Sequence, residues 1–122
     1  MILADTSIWI DFFRGTQPRL ADLLRDGAIA MHPFIVAELA LGSLGNREQK
    51  FALLESLWQV RVAELGEVRQ LVESHTLYAR DLGLIDVHLL ASCLLTPGVQ
   101  LWTRDAALEK AAALLGVGAT LS

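Results

Sequence analysis

Short apolar runs alternate along the chain with longer stretches in which apolar residues recur at helical spacing. The short runs have the length of buried strands, and turn pairs such as Asp26-Gly27 and Pro97-Gly98 separate them from their neighbours. The predicted strands cover residues 2–4, 28–31, 60–62, 99–102 and 117–120. The predicted helices cover residues 8–13, 18–25, 33 to 42 or 45, 46–57, 67–82, 85–95 and 106–115. This alternation predicts an α/β fold with a mostly parallel central sheet, formed by residues 1–122 as one domain.

Polar residues and prolines mark where several of these helices should begin. Thr6 or Ser7 is expected to cap the first helix, and Asn46 the fourth. Pro33 suits the first position of the third helix, because its missing amide hydrogen costs nothing there. Gly83 should end the longest predicted helix.

Four acidic residues stand inside or at the end of apolar segments. They are Asp5 after the run 1–4, Glu38 within 34–41, Asp86 within 84–87, and Asp105 after 99–104. A carboxylate among large apolar residues is costly to desolvate unless it is paired, hydrogen-bonded or bound to a cation. Four such acids in a short chain predict one shared site for a hard metal ion.

The predicted topology brings these acids towards one edge of the sheet. Asp5 and Asp105 follow predicted strands, and ligands of open parallel sheets bind outside the carboxyl ends of the strands. Asp86 falls in the first turn of its helix, where backbone dipoles favour a carboxylate, and Glu38 lies about one turn into its helix. Oxygen-only ligands suit Mg²⁺ or Mn²⁺ and are poor for zinc. Such an ion can bridge to phosphate and activate a water for in-line attack.

Each acid also has a purely structural interpretation. Asp5, Asp86 and Asp105 could simply cap the helices that they precede or begin. Glu38 is the hardest to explain in this way, because an apolar helix needs no carboxylate at that point. A phosphoacceptor switch is a weak rival, since Asp5 stands alone after the first strand and no lysine ends the late strand 99–103.

The remaining polar residues carry less specific signals. His32, His75 and His88 have no mutual i,i+4 spacing, so a zinc site is not expected. Each is interpreted as a helix cap, a packed ring or a surface residue. Asp11 is interpreted as a solvated charge or else as a charge on the outer rim of the site. Arg104 is the best candidate among the arginines for a contact to the substrate, because it adjoins the predicted site.

Charge and apolar content limit the classes of function that are plausible, but they do not select one. The formal charge is −4, from 10 basic and 14 acidic residues, so there is no global nucleic-acid signature. Without the four embedded acids the balance would be even, which places the acidity at the predicted site. The set Ala, Val, Ile, Leu, Met, Phe, Trp, Tyr and Cys makes up 53%, and 9 Gly raise the total further above the usual 45–50% or so. This excess predicts an apolar surface that a partner chain covers, although a helical domain rich in Leu and Ala would also explain it.

The same composition predicts a location. No apolar run approaches the roughly 18 residues of a membrane span, and the start has no signal-peptide pattern. Cys93 stands alone and reads as a buried helix residue, which fits a reducing cytoplasm.

The motifs around the four acids resemble those of PIN-domain ribonucleases, and specifically the VapC toxins of bacterial type II toxin–antitoxin pairs. The resemblance lies in four motifs in the family's order: ILADTSIWID (2–11), VAEL (36–39) with Gly42, DVHLLA (86–91) and LWTRD (101–105). It covers essentially the whole chain. One departure is that Val87-His88 follow Asp86 where the family often has a small residue, and the role of His88 stays open.

The resemblance implies a PIN-like three-layer α/β/α fold and a metal-dependent endoribonuclease acting on single-stranded or loop RNA. It also implies a homodimer silenced by an antitoxin protein. By the family pattern, Asp5, Glu38, Asp86 and Asp105 form the acidic metal site, with Asp105 the least fixed by spacing. Thr6 or Ser7, together with Thr103, would support the site through hydroxyl hydrogen bonds. The alternative is a PIN-like domain that has lost catalysis and only binds a partner.

Overall fold

The computed structural model describes residues 1–121 and has a four-stranded parallel sheet at its centre. The strands are β1 (Ile2–Ala4), β2 (Ile29–Met31), β3 (Trp58–Gln59) and β4 (Gln100–Trp102). They lie in the order β3-β2-β1-β4, and every pairing is parallel. Residue 122, which the predicted single domain includes, lies outside the described residues.

Seven helices occur within the described residues. They are α1 (Thr6–Phe13), α2 (Pro18–Arg25), α3 (Pro33–Ala40), α4 (Arg47–Ser56), α5 (Leu65–Ser74), α6 (Leu84–Leu95) and α7 (Ala106–Leu114). The predicted α/β class with a parallel sheet is confirmed, and the architecture is that of the expected PIN-like α/β/α fold.

The core is built around β1, which is central in the sheet and buried along its length. Trp9 of α1 and the Leu89-Leu90 pair of α6 are fully buried with it. In the register between β1 and β4, Ala4 stands opposite Trp102, and the Asp5 amide donates to the Trp102 carbonyl at 2.8 Å. The two strands therefore end together and release Asp5 and the residues after Trp102 at the same edge.

The first helix begins earlier than predicted. Asp5, rather than Thr6 or Ser7, caps α1, because its carboxylate accepts a hydrogen bond from the Thr6 amide at 2.7 Å. The predicted cap was therefore wrong by one or two residues. Pro33 is the first residue of α3, as expected, and His32 supplies the cap there.

The long helix predicted over 67–82 was wrong in its second half. The structure ends α5 at Ser74, and Thr76, Ala79 and Asp81 then adopt positive φ angles of 52°, 59° and 61°. Leu77 turns into the core and its amide donates to the carbonyl of Val72, which breaks the helical spacing. The segment 75–83 is thus a connection that leads into α6.

Two predicted strands differ from the observed ones. β3 precedes the predicted segment 60–62: the Val60 amide still donates to Met31, but the Arg61 amide turns away to the Thr96 hydroxyl. The predicted strand 117–120 is reduced to a single bridge between Leu101 and Gly118 on the outer side of β4.

No helix within residues 1–121 combines the length and the apolar character needed to cross a bilayer.

Candidate active site

Asp5 is buried at the carboxyl edge of the sheet, directly after β1. Its exposed fraction is 9%, and each of its carboxylate oxygens accepts a hydrogen bond. One bond comes from the Thr6 amide and the other from the Thr103 hydroxyl, at 2.7 and 2.8 Å. The parallel pairing of β1 with β4 makes the second bond possible, because it brings Thr103 beside Asp5 across 98 positions of sequence.

A continuous chain of hydrogen bonds joins three of the four predicted acids. The Thr6 hydroxyl donates to Glu38 at 2.6 Å, while the Thr6 amide donates to Asp5. The Thr103 hydroxyl donates to Asp5 and accepts from the Asp105 amide at 3.0 Å. Glu38, Asp5 and Asp105 are therefore linked through the two threonines, although they come from three separate segments.

Asp86 reaches the same edge from the start of α6. Its carboxylate accepts from the Gly83 amide at 2.9 Å, which fixes it over the first turn. Burial raises its pKa above the usual 3.8, the Gly83 hydrogen bond lowers it, and the negative charges of Asp5 and Asp105 raise it. No hydrogen bond among the described residues joins Asp86 to the other three acids, so its link to them is electrostatic. We call Asp5, Glu38, Asp86 and Asp105 the acidic cluster.

The electrostatics of Asp5 reflect a conflict between burial and hydrogen bonding. Burial raises its pKa above the usual 3.8, and the charges of Glu38 and Asp105 add to that rise. The bonds from Thr103 and Thr6 lower it, because they stabilise the ionised carboxylate. Ionised Asp5 is thus held in place but incompletely compensated.

No cationic side chain compensates the acidic cluster within residues 1–121. The ion pairs there join Arg25 to Asp22 and Arg104 to Asp11. Arg104, the predicted RNA contact, therefore binds an acid outside the cluster. The interpretation of Asp11 as a solvated charge was wrong: its side chain is only 17% exposed and is paired.

Ser7 is placed differently from the two threonines. Its hydroxyl is buried and has no hydrogen-bond partner among the described residues. Of the three predicted supporting hydroxyls, the structure connects those of Thr6 and Thr103 to the acidic cluster.

Two of the acids also cap helices, as the structural interpretation of the sequence predicted. Asp5 caps α1, and Asp105 caps α7 by accepting from the Leu108 amide at 3.0 Å. Asp105 is exposed, whereas Asp5 is buried. A cap needs neither burial nor a link to Glu38, so capping alone does not explain Asp5.

The acidic cluster offers the donor chemistry that Mg²⁺ or Mn²⁺ requires, since all four groups present carboxylate oxygens. Glu38, Asp86 and Asp105 each use one of their two oxygens in the hydrogen bonds described above. Within residues 1–121, however, no three Asp, Glu, His or Cys side chains already stand in an arrangement that could hold an ion. The residues fit the ion by chemistry and charge, while the ligand geometry is not preformed.

Two buried histidines lie near this edge, and both have structural roles that the sequence allowed, as a helix cap and as a packed ring. His32 ends β2 and caps α3, its Nδ1 accepting from the Phe34 amide at 2.9 Å. Burial lowers its pKa to about 4, and His88 lowers it as well. The Phe34 ring packs against both imidazoles, with ring centroids 5.1 and 4.7 Å away, and burial also lowers the pKa of His88. The apolar neighbours of both histidines in the sequence were the signal of this burial.

Comparison with known proteins agrees with the fold. The PIN-domain family model matches residues 2–114. Ribonuclease VapC32 of Mycobacterium tuberculosis, known from two strains, is 44% identical over 117 residues, which is 96% of this chain and 94% of the relative. The chain therefore belongs to the PIN-domain family, in its VapC group.

Proposed function

We propose that this chain is a divalent-metal-dependent endoribonuclease and the toxin component of a type II toxin–antitoxin pair. Its substrate would be the phosphodiester bonds of single-stranded or loop RNA. The observation that carries the proposal is the set of acids joined through Thr6 and Thr103 without a cationic partner in the described residues. The name of the relative, Ribonuclease VapC32, supports the same activity.

The proposed roles follow from position and burial. Asp5, Glu38 and Asp86 would hold Mg²⁺ or Mn²⁺, and Asp105 would complete the site from its rim. When bound, the ion would stabilise charge on the phosphoryl group and favour attack by water. Thr6 and Thr103 would fix the carboxylate orientations, as partners of ligating groups usually do.

The carboxylates would also act as proton acceptors in the reaction. A nucleophilic water needs an oriented acceptor for its proton, and a carboxylate of the acidic cluster provides one. Glu38 is suited to this role, because Thr6 holds one of its oxygens at 2.6 Å and the other accepts from no donor among the described residues.

Arg104 is proposed as a contact to the RNA backbone. Its side chain is 59% exposed, and it lies between Thr103 and Asp105 in sequence. A guanidinium binds phosphate oxygens with fixed geometry, which would orient the strand relative to the acids.

Exposed apolar side chains support the proposed protein partners, a second copy of this chain and an antitoxin. Leu41 is 91% exposed, and Leu65, Tyr78 and Leu84 line one groove with exposed fractions of 57–61%. Surfaces of this kind commonly mark interaction sites. A toxin directed at cellular RNA would act in the cytoplasm, where the lone Cys93 thiol also stays reduced.

Cleavage of a mixed RNA pool, with cut sites mapped by sequencing, tests the activity. We expect cleavage with Mg²⁺ or Mn²⁺, none with a chelator, and loss of cleavage in Asp5→Asn and Asp86→Asn. Asp22→Asn is the matched control, because it removes an exposed carboxylate that pairs with Arg25 outside the acidic cluster and should leave cleavage unchanged. Unchanged cleavage in both cluster variants would sink the proposal, and no cleavage by the parent chain would favour a catalytically silent binding domain.

Expression in a bacterial host tests the toxin role. Growth should stop when the chain is expressed alone and continue when Asp5→Asn is expressed at the same level. Sedimentation of the inactive variant then measures the oligomeric state. High, harmless and soluble expression of the parent chain would contradict the toxin role.

A further inference from the structure

Arg104 is the cation closest in sequence to the acidic cluster, yet it is bound elsewhere. Its neighbours on both sides are members of the site, Thr103 and Asp105. Its guanidinium instead reaches Asp11 on α1, a partner 93 positions away in sequence. The acid that captures it is thus supplied by a different segment of the fold.

The pair is a two-point contact. Arg104 Nε lies 2.6 Å from one carboxylate oxygen of Asp11, and its terminal Nη2 lies 3.2 Å from the other. Paired contacts of this type fix the plane of the guanidinium as well as its position. The Asp11 side chain is 17% exposed, so it has little freedom to turn away.

Asp11 stands on the same helix that Asp5 caps. Six residues separate the two, which corresponds to about 9 Å along the helix axis. The pair with Asp11 therefore draws the guanidinium along α1, away from the carboxylate of Asp5.

If the Arg104 guanidinium were not held by Asp11, it could bind the carboxylates of the acidic cluster instead. The four carboxylates have no cationic partner in the described residues, and arginine binds carboxylates readily. A guanidinium inserted among them would occupy the oxygens that a divalent cation needs.

We propose that Asp11 is a positioning residue that holds the Arg104 guanidinium at the rim and so keeps the acidic cluster open to a divalent cation. This inference rests on the metal-binding part of the proposed function. It gives the Asp11–Arg104 pair a role that a surface ion pair would not have.

Mn²⁺ binding to the purified full chain, measured by calorimetry without RNA, tests the role of Asp11. Asp11→Asn releases Arg104 and should weaken Mn²⁺ binding by about threefold to tenfold. The double variant Asp11→Asn with Arg104→Gln should restore the parent affinity within about twofold, because no guanidinium remains to compete. Asp22→Asn removes the other described ion pair and should change nothing.

Two results would overturn the inference: parent affinity in Asp11→Asn, or equal weakening in the single and double variants, since Arg104 would then not be the competitor. Circular dichroism checks that each variant is folded. If Asp11→Asn does not fold, Arg104→Gln alone decides, because its Mn²⁺ affinity should equal or exceed that of the parent, and a fall contradicts the proposal. Failure of the parent to bind Mn²⁺ overturns it too, whereas Mn²⁺ binding without RNA cleavage counts only against the nuclease function.

Discussion

At the scale of single residues, the Thr103 hydroxyl connects the segment after β1 with the segment after β4. Thr103 donates to buried Asp5 and accepts from the Asp105 amide, so it satisfies one group on each side of the edge between β1 and β4. A hydroxyl can do both because it carries one donor and two acceptor lone pairs. The position therefore needs threonine or serine rather than a residue of the same shape.

Thr103→Val should lower the free energy of unfolding by about 1–3 kcal/mol, because it leaves a buried Asp5 oxygen without its donor. Urea denaturation measures the change. Thr103→Ser keeps the hydroxyl and should recover most of the loss. Equal stability of the valine variant and the parent would show that the Thr103–Asp5 bond contributes nothing net.

The charge of Asp86 should cost stability, and the cost should depend on pH. Because the pKa of Asp86 is raised in the folded chain, the native state binds its proton more tightly than the unfolded state does. Its contribution to the unfolding free energy therefore falls as pH rises from the unfolded value near 3.8 through the raised native pKa. Asp86→Asn removes this loss.

Urea denaturation in chelator between pH 4.5 and 7.5 tests this sign. The gain of Asp86→Asn over the parent should grow with pH and be largest at neutral pH, where the Asp86 carboxyl of the parent is ionised. The titration of His32 acts in the opposite direction, but it is common to both proteins and cancels in the difference. A gain that is larger at acidic pH would contradict the assignment.

At the scale of elements, the carboxylates of the site also begin helices. Asp5 caps α1 and Asp105 caps α7, while the imidazole of His32 caps α3, the helix that carries Glu38. A cap fixes the first turn of a helix and so aims the side chains near it. Three helix starts therefore lie at this edge, and mutation can separate the capping role of Asp5 and Asp105 from their proposed role in metal binding.

Asp105 offers the cleanest separation of the two roles. Asp105→Ala should lower the unfolding free energy by about 1 kcal/mol through loss of the bond to the Leu108 amide. Asp105→Asn keeps a capping oxygen and should stay within a few tenths of a kcal/mol of the parent. Cleavage assays beside the thermal melts then decide the function: an asparagine variant that is stable but slow supports a place in the site, and one that is stable and fully active limits Asp105 to capping.

At the scale of the whole molecule, the charge distribution is uneven. The formal charge is −4, and three of the acids, Glu38, Asp5 and Asp105, are linked at one sheet edge without a cationic partner among the described residues. The fold tolerates this repulsion because parallel pairing and threonine hydrogen bonds hold the edge together. A bound divalent cation would offset the repulsion. It should stabilise the native state and not the unfolded chain, in which the four acids are apart.

Divalent cation should therefore raise the melting temperature relative to chelator. A free concentration of about 100 times the dissociation constant corresponds to roughly 2.7 kcal/mol of added stability. Asp86→Asn should lose most of this gain, and Asp22→Asn should keep it. Equal melting temperatures with Mn²⁺ and with chelator would contradict cation binding at this edge.

Much of the fold follows from local patterns. The helix α2 was predicted at its observed bounds, because Pro18 begins it and the Asp26-Gly27 turn ends the apolar spacing. The connection 75–83 was not predicted, because three residues other than glycine take positive φ angles that only the surrounding structure can impose. Helical spacing of apolar residues does not register single positions of this kind, so the pattern extends the predicted helix through them to residue 82.

The sequence by itself determined the α/β class and singled out four acids within or beside apolar segments, because hydrophobic spacing is a local property. The catalytic roles of those acids remain a proposal. Only the tertiary structure decided that Thr6 and Thr103 join Glu38, Asp5 and Asp105, and that Asp11 captures Arg104. These contacts cross up to 98 positions of sequence and depend on the register of β1 against β4, which no local pattern contains.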